Sequence, residues 1–351
     1  MKAARLVAFR APLQIEDLPV PTPTGDEALV RVTAVGVCRS DWHQWNGDWG
    51  WIGAQPRLPI TPGHEIGGVI EAVGPAVRAL RPGQRVTVPF QQSCGACANC
   101  TSGRDNLCLR PEFSGFSRDG GFAEYLIVRV ADLNCIPLPD AVSDEVAAAL
   151  GCRFTTGYHA IAHRARPAAG DWIAIFGAGG VGLSAIQVAA ALGARPIAID
   201  LDPAKLAFAK RMGAVETLLA SDGNPSKRIR EITGGGAPFT VDAIATAKTT
   251  QQAIGALCRG GRHVQVGLTS QEDQGQIPFP ADILVNAELE IVGSGSSPHA
   301  GYAEIFALIA QGRLDPGALI TRHIGLGEIT DVFHAFDTYA TSGLDVVTSF
   351  N

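Results

Sequence analysis

DWIAIFGAGGVGLSAIQVAAALGARPIAID, residues Asp171 to Asp200, sets the architecture of the second half of the chain. The segment DWIAIF reads as a buried strand, and VGLSAIQVAAAL behind it as a helix closed by Gly193. Between them Gly177, Gly179 and Gly182 fall in G-x-G-x-x-G spacing. Such glycines permit a tight turn and let backbone N–H groups approach a diphosphate at the positive end of the helix. The next strand, PIAID, ends on Asp200, placed to accept hydrogen bonds from the adenosine ribose hydroxyls. A 2′-phosphate there would meet a carboxylate, with Asp202 close by, so the segment predicts NAD rather than NADP. A glycine pattern alone is weak; the strand before it, the helix after it and the acid beyond make it specific.

Outward from this unit the strand–helix alternation continues. DPAKLAFAKRM begins with Asp202 as N-cap and Pro203 at the first helical position, and ends before Gly213. TVDAIA, HVQVGL and LEIVGS read as further strands, and YAEIFALIAQG as an amphipathic helix. Before about residue 153 the texture differs: LQIEDL, EALVRVTAVGV, GGVIEAV and QRVTVPF are β-type segments punctuated by Pro and Gly. Ser143, followed by Asp144 and Glu145, caps an Ala-rich helix that stops at Gly151. With 351 residues the chain suggests two domains. Its 46% hydrophobic and 18% charged residues exclude disorder. A net charge of -6 with no dense Lys/Arg run argues against nucleic acid. No apolar run reaches the roughly 18 residues that would span a bilayer, and the N-terminus lacks a signal-peptide pattern. The expectation is a soluble cytoplasmic protein with no membrane partner.

Four of the eight cysteines fall in CGACANCTSGRDNLC: Cys94, Cys97, Cys100 and Cys108. Clustered cytosolic cysteines more often hold metal than form disulfides. Four thiolates with no open position suit a structural zinc. An iron–sulfur cluster is the rival, but ferredoxin spacing puts the fourth cysteine after three residues with proline behind it; here the gap is seven and Leu109 follows. Cys135 and Cys258 stand alone and read as core residues.

Three other residues are harder to read. Cys38 in VGVCRSDWH, His64 in TPGHEIGG and Cys152 in GCRFTTGYHA are far apart in sequence. Each lies within two residues of a glycine at a strand or helix end, where side chains can converge. Two thiolates and one imidazole would leave one tetrahedral position open, as a catalytic zinc requires. Singly, each is equally well a buried Cys or His, and the residues alone make the set only a suggestion.

Taken together, GVCRSDWHQWNGDW, PGHEIGGVIEAVG, the four-cysteine loop, GCRFTTGYHA and GAGGVG with Asp200 resemble, in order and over nearly the whole chain, the zinc-dependent medium-chain alcohol dehydrogenases. The resemblance implies a GroES-like β-barrel catalytic domain (1–153, with the structural zinc loop 94–108), a Rossmann domain with a doubly wound parallel sheet (154–296), and a return segment (297–351). It implies NAD, two zinc ions per subunit, an alcohol or carbonyl substrate, and a homotetramer or homodimer. Cys38, His64 and Cys152 become catalytic zinc ligands, Glu65 an occasional fourth, and Asp41 the carboxylate that holds the His64 ring. Ser40 and His43 become a proton relay. Thr156 and Leu268 lie by the cofactor, Gly180 and Val181 join the glycine motif, Arg39 meets the pyrophosphate, and Lys205 the adenosine ribose.

Trp49 and Phe90 align with pocket-lining aromatics, while some of Trp42, Trp45 and Trp51 belong to core or rim. Aromatic walls favour an apolar alcohol over a polyol. Cysteine rather than glutamate at 152 resembles alcohol dehydrogenases more than the sorbitol branch. Two alternatives stay open: a polyol or threonine dehydrogenase of the same superfamily, and a non-catalytic zinc- and NAD-binding protein. One departure stands out. Many relatives carry Arg or Lys near the C-terminus against a cofactor phosphate; here SGLDVVTSFN puts Leu344 and Asp345 there, which predicts weaker cofactor affinity or compensation by another group such as Arg39.

Overall fold

The computed structural model describes residues 1–53, 55–269 and 273–350, apart from the side chains at 51 and 52. The Trp51 side chain therefore lies outside the described residues. The chain divides into two compact units, 1–155 with 298–351, and 156–297.

The second unit is built on six parallel strands: β1 Trp172–Phe176, β2 Arg195–Asp200, β3 Glu216–Leu219, β4 Ala237–Asp242, β5 Leu257–Gln265 and β6 Glu290–Gly293. Their spatial order is β3-β2-β1-β4-β5-β6. The strand order therefore reverses beside β1, the place where open α/β sheets bind ligands. β1 is central because Ile173, Ala174, Ile175 and Phe176 are all buried. Helices Gly180–Ala191, Pro203–Arg211, Pro225–Thr233, Ala247–Gly255 and Ala281–Asn286 make the crossovers. Asp202 caps its helix by accepting from the Ala204 N–H at 2.8 Å, with Pro203 in the first turn. β3 carried no clear sequence signal, since it is a short, half-exposed strand at the sheet edge with little apolar alternation to show.

The first unit centres on a seven-stranded sheet. Ile320–Gly325, Leu344–Ser349, Ala28–Gly36, Glu65–Val73, Arg85–Val88 and Ile136–Pro137 follow one another, and Tyr125–Val128 also pairs with Ala28–Gly36. The first pair is parallel and the others are antiparallel. The last two strands in sequence thus complete the sheet begun near the N-terminus. Trp45, Ile66, Ile70, Val86, Phe122 and Phe333 fill the core on this sheet. Ser143 caps helix Asp144–Ala149 by accepting from the Val146 N–H at 3.2 Å. That helix can lie directly on strand Glu65–Val73 because position 67 is glycine: a Cβ there would stand 2.3 Å from the Asp144 carbonyl oxygen. The packing brings the helix's C-terminal extension, with Cys152, against the strand end that carries His64. Among the described residues no helix is long and apolar enough to cross a membrane.

Candidate active site and metal centres

Cys38 is the N-cap of helix Arg39–Asn46, directly after strand Ala28–Gly36; His64 precedes strand Glu65–Val73; Cys152 lies in an irregular turn behind Asp144–Ala149. One ligand atom from each of these three residues lies within 4.8 Å of the others. His64 is fully buried, and its Nδ1 donates to Asp41 Oδ1 at 2.7 Å. Among the described residues its Nε2 has no hydrogen-bond partner. A buried ring nitrogen aimed at two sulfurs and unpartnered by oxygen or nitrogen has the chemistry of a ligand atom, and the residues fit a zinc with one position to spare. The electrostatics agree. Sharing with Cys152, and then the nearby His64, draws the Cys38 thiol well below its ordinary range, while the same sharing and burial push Cys152 well above it. Burial works against a charged His64 ring, yet the Asp41 carboxylate holds its pKa well above the usual value.

Asp41 does more than orient the ring. It is fully buried and accepts from the Cys38 N–H at 3.0 Å, the Gly63 N–H at 3.1 Å and His64 Nδ1. One carboxylate therefore ties the Cys38 segment to the His64 segment. Glu65 stands outside the three-ligand set. Its carboxylate is gripped by Arg153, from the backbone N–H at 2.9 Å, from Nε at 3.1 and 3.0 Å, and from Nη2 at 2.7 Å. Burial raises the Glu65 pKa while Arg153 opposes the rise. Arg153 was missed at the sequence level; its only signal is a cation next to Cys152 in a stretch with no other Lys, Arg, Asp or Glu.

Cys94, Cys97, Cys100 and Cys108 form the second set, again within 4.8 Å. Sulfur separations are 3.4 Å for Cys97–Cys100, 3.9 Å for Cys97–Cys108 and 4.0 Å for Cys94–Cys100. Four sulfurs bonded at about 2.3 Å around one tetrahedral ion lie about 3.8 Å apart. A cluster of several irons, each with its own thiolate, would hold them wider. The loop fits one zinc. Backbone N–H groups of Cys94, Leu109 and Arg110 point at the sulfurs at 3.3 to 3.4 Å. Hydrogen bonds from the backbone, led by Ala96, draw the Cys94 thiol down to about 6, whereas burial pushes Cys100 up to about 12. Cys135 is buried with its pKa raised by burial.

The remaining candidates fall into place around these centres or apart from them. Ser40 and His43 share helix Arg39–Asn46 and are both half-buried. His43 Nδ1 donates to Asp48 Oδ2 at 2.7 Å, and Trp49 stacks on the ring at 5.5 Å. Asp48 was not singled out from the sequence. The Phe90 ring stands 6.0 Å from His64, and Phe116, also missed, stands 5.1 Å from His64 and 5.6 Å from Trp49. Trp45 is core, its Nε1 donating to the Ala11 carbonyl at 2.6 Å. Arg39 is stacked between Trp42 and Tyr339, 4.5 and 4.2 Å from the ring centres, and donates to the Phe336 carbonyl at 3.2 Å. Leu344 is buried, and Asp345 is paired with Arg322 at 3.0 Å rather than standing as a bare anion.

In the second unit, Gly177 has φ 95°, and a Cβ on Gly182 would stand 1.8 Å from the Gly177 carbonyl oxygen. Among the described residues, Gly179, the N-cap of Gly180–Ala191, has open space where a Cβ would be, and no side chain caps the helix. The loop is a bare cradle of the kind a diphosphate fills. Gly180 and Val181 form the half-buried first turn. Asp200 accepts from the Ala178 N–H at 2.7 Å and the Asp202 N–H at 3.0 Å, which fixes its carboxylate beside that loop. Thr156 and Lys205 are buried, and Leu268 is 70% exposed.

Residues 24–140 match the alcohol dehydrogenase GroES-like domain, and residues 180–311 the zinc-binding dehydrogenase domain. An alcohol dehydrogenase of Geobacillus stearothermophilus is 38% identical over 335 residues, covering 95% of each chain. An NAD-dependent alcohol dehydrogenase of Sulfurisphaera tokodaii is 32% identical over 353 residues, covering 99% of each. Among solved structures, alcohol dehydrogenase TADH from Thermus sp. ATN1 superposes with a TM-score of 0.91 at 31% identity, over the full length of both chains.

Proposed function

The chain belongs to the zinc-dependent alcohol dehydrogenases of the medium-chain superfamily, and from that premise we propose that it interconverts medium-sized apolar primary and secondary alcohols with their aldehydes and ketones. The reaction is reversible hydride transfer between an alcohol and NAD. What carries this reading is the buried, unpartnered Nε2 of His64 facing the Cys38 and Cys152 sulfurs. Such a set has a use for an open coordination position; a closed structural site has none. When bound, zinc supplies a Lewis acid for the substrate oxygen, and NAD supplies the hydride acceptor.

The chain's own residues do the rest. Cys38, His64 and Cys152 hold the metal, and Asp41 keeps the His64 proton on Nδ1 so that Nε2 can ligate. Ser40 takes the proton released by the alcohol, and His43 passes it to water. Asp48 holds His43 Nδ1, which leaves Nε2 for that exchange. Phe90, Phe116 and Trp49 surround His64 and His43 with apolar surface, which favours apolar substrates and disfavours polyols. The Gly177–Gly182 loop binds the diphosphate, Asp200 takes the ribose hydroxyls and rejects a 2′-phosphate, and Arg39, Lys205, Thr156 and Leu268 are read as further cofactor contacts on the resemblance. Exposed Phe279, Ile283, Val285 and Ile291 support self-association, read here as a homotetramer and checked by light scattering. Eight cysteines outside any disulfide, six of them in the two metal-ligand sets, support a reducing, cytoplasmic setting.

The test is NADH absorbance across a panel of hexanol, benzyl alcohol, 2-alkanols, sorbitol and threonine. Apolar alcohols should give the higher kcat/KM, and chelation should abolish turnover. Preference for sorbitol or threonine would move the enzyme to the polyol or threonine branch. Zinc and NAD binding with no turnover on any of these would make it a binding protein.

A further inference from the structure

Arg153 is the chain neighbour of one of the three ligands and touches a chain neighbour of each of the other two. Arg153 itself follows Cys152. Its Nη2 donates to the carbonyl of Val37, the residue before Cys38, at 2.7 Å. Its Nε and Nη2 grip the carboxylate of Glu65, the residue after His64. Nη1 reaches the Gly343 carbonyl at 3.3 Å in the returning C-terminal segment. Arg153 is 4% exposed and Glu65 fully buried, so this is a dry, shape-determined junction. We propose that Arg153 is a positioning residue: it clamps the three ligand-bearing segments into register and holds the Glu65 carboxylate away from the open metal position. The proposal rests on the dehydrogenase reading above.

The space around Glu65 is shaped for this. A Cβ on Gly36 would stand 2.5 Å from Glu65 Oε2, and one on Gly151 would stand 2.6 Å from the Glu65 Cα and Cβ. The side chain is thus walled in on two sides and delivered to the guanidinium fork. A buried carboxylate next to a divalent cation is drawn toward it; only a comparably strong, directional partner keeps it elsewhere. A planar fork that meets both oxygens does so, and an ammonium, as a point charge, cannot also reach Val37 and Gly343. No separate signal marks this function in sequence, because Arg153 acts through neighbours of ligands rather than as one.

The experiment puts cobalt(II) in the three-ligand site, leaves zinc in the cysteine loop, and compares wild type, R153K, R153Q and E65Q/R153Q. Visible absorption reads the cobalt coordination number, and transfer to a coloured chelator reads metal release. Wild type should give the intense bands of four-coordinate cobalt. In R153Q the freed Glu65 should enter, weakening the bands toward five-coordination, and E65Q/R153Q should restore them. Release should be faster by about 10- to 100-fold in both Gln variants, with R153K between, as for loss of a partner that orients ligands. Loop zinc should be unaffected. If R153Q does not fold, the charge-neutral double variant still carries the release measurement. Wild-type spectra and release rates in the Gln variants, even with a lowered Tm, would overturn the proposal alone. A wild-type chain that takes metal only in the loop would overturn the dehydrogenase reading with it.

Discussion

The two metal-ligand sets meet the same preference for soft ligands by opposite routes. Cys94, Cys97, Cys100 and Cys108 come from one short loop, and their supporting hydrogen bonds come mainly from the backbone of that loop and the residues just behind it, joined by the Arg110 side chain at 3.8 Å from the Cys94 sulfur. Cys38, His64 and Cys152 come from three separate segments, and their support is a buried carboxylate and a buried guanidinium that bridge those segments. The closed set fills its metal's coordination sphere, so the ion itself can fold the loop around it. The open set must leave one position empty and still hold its geometry. That stiffness has to come from the protein, and it does, through Asp41 and Arg153.

The sharpest way to break this contrast is to remove one ligand from each set. His64→Ala should remove the metal from the three-ligand site. Losing several kcal/mol of Lewis-acid stabilisation lowers kcat/KM by about 10³- to 10⁵-fold. Zinc content should fall from two ions to one per chain, and thermal unfolding should change far less than activity. Cys97→Ser should do the reverse. Loss of a structural metal belongs to the few changes that cost about 4 kcal/mol or more, so Tm should drop clearly while kcat of the folded enzyme at low temperature stays near wild type. If both variants lose activity equally, the division into closed and open sets is wrong.

The same contrast explains what could be read from the sequence. The cysteine loop and the glycine motif were legible because each is a local device: its spacing is its geometry. Strand β1, the helix behind it and Asp200 follow from one continuous stretch, and the caps at Ser143 and Asp202 sit where their side chains indicate. The three-ligand set was legible only through resemblance, since nothing in the spacing of residues 38, 64 and 152 brings them together. That convergence depends on long-range features such as Gly67 under helix Asp144–Ala149. Arg153, Asp48 and Phe116 were missed for a related reason: an Arg, an Asp and a Phe are common residue types, and their roles exist only in contact with a partner from another segment. The C-terminal departure also reads differently in three dimensions, because Arg322 answers the Asp345 charge that the sequence left bare.

Asp41→Asn sharpens the contrast at intermediate scale. Asp41 Oδ1 accepts from Gly63 and His64, and Oδ2 from Cys38. An amide can keep only one of these faces; its NH₂ would confront the Cys38 N–H or the His64 Nδ1–H, donor against donor. Affinity for the catalytic zinc should fall about 10- to 100-fold, seen in competition with a fluorescent chelator, while loop zinc is retained. Equal loss from both sites would mean that Asp41 supports the whole unit rather than the open site.

The smallest effect concerns how the cysteine loop is moored. Asp105, inside the loop, accepts from the His299 N–H at 3.1 and 3.2 Å and stands 2.9 Å from His299 Nδ1. Burial pushes the Asp105 carboxyl up, but the bonds and charge of His299 outweigh it and hold its pKa below the ordinary value of 3.8. A depressed carboxylate pKa contributes stability that is present at any pH above the unfolded value and disappears as pH falls through the lower folded value. Asp105→Asn should therefore cost about 1–2 kcal/mol at pH 7, and the gap to wild type should close below about pH 4. Urea unfolding at a series of pH values measures it. Acid also protonates the thiolates and releases zinc from both proteins, so only the difference between them isolates the carboxylate. A gap that stays constant down to pH 2 would mean that Asp105 is held by shape and not by charge, leaving the metal as the main fastening of the loop.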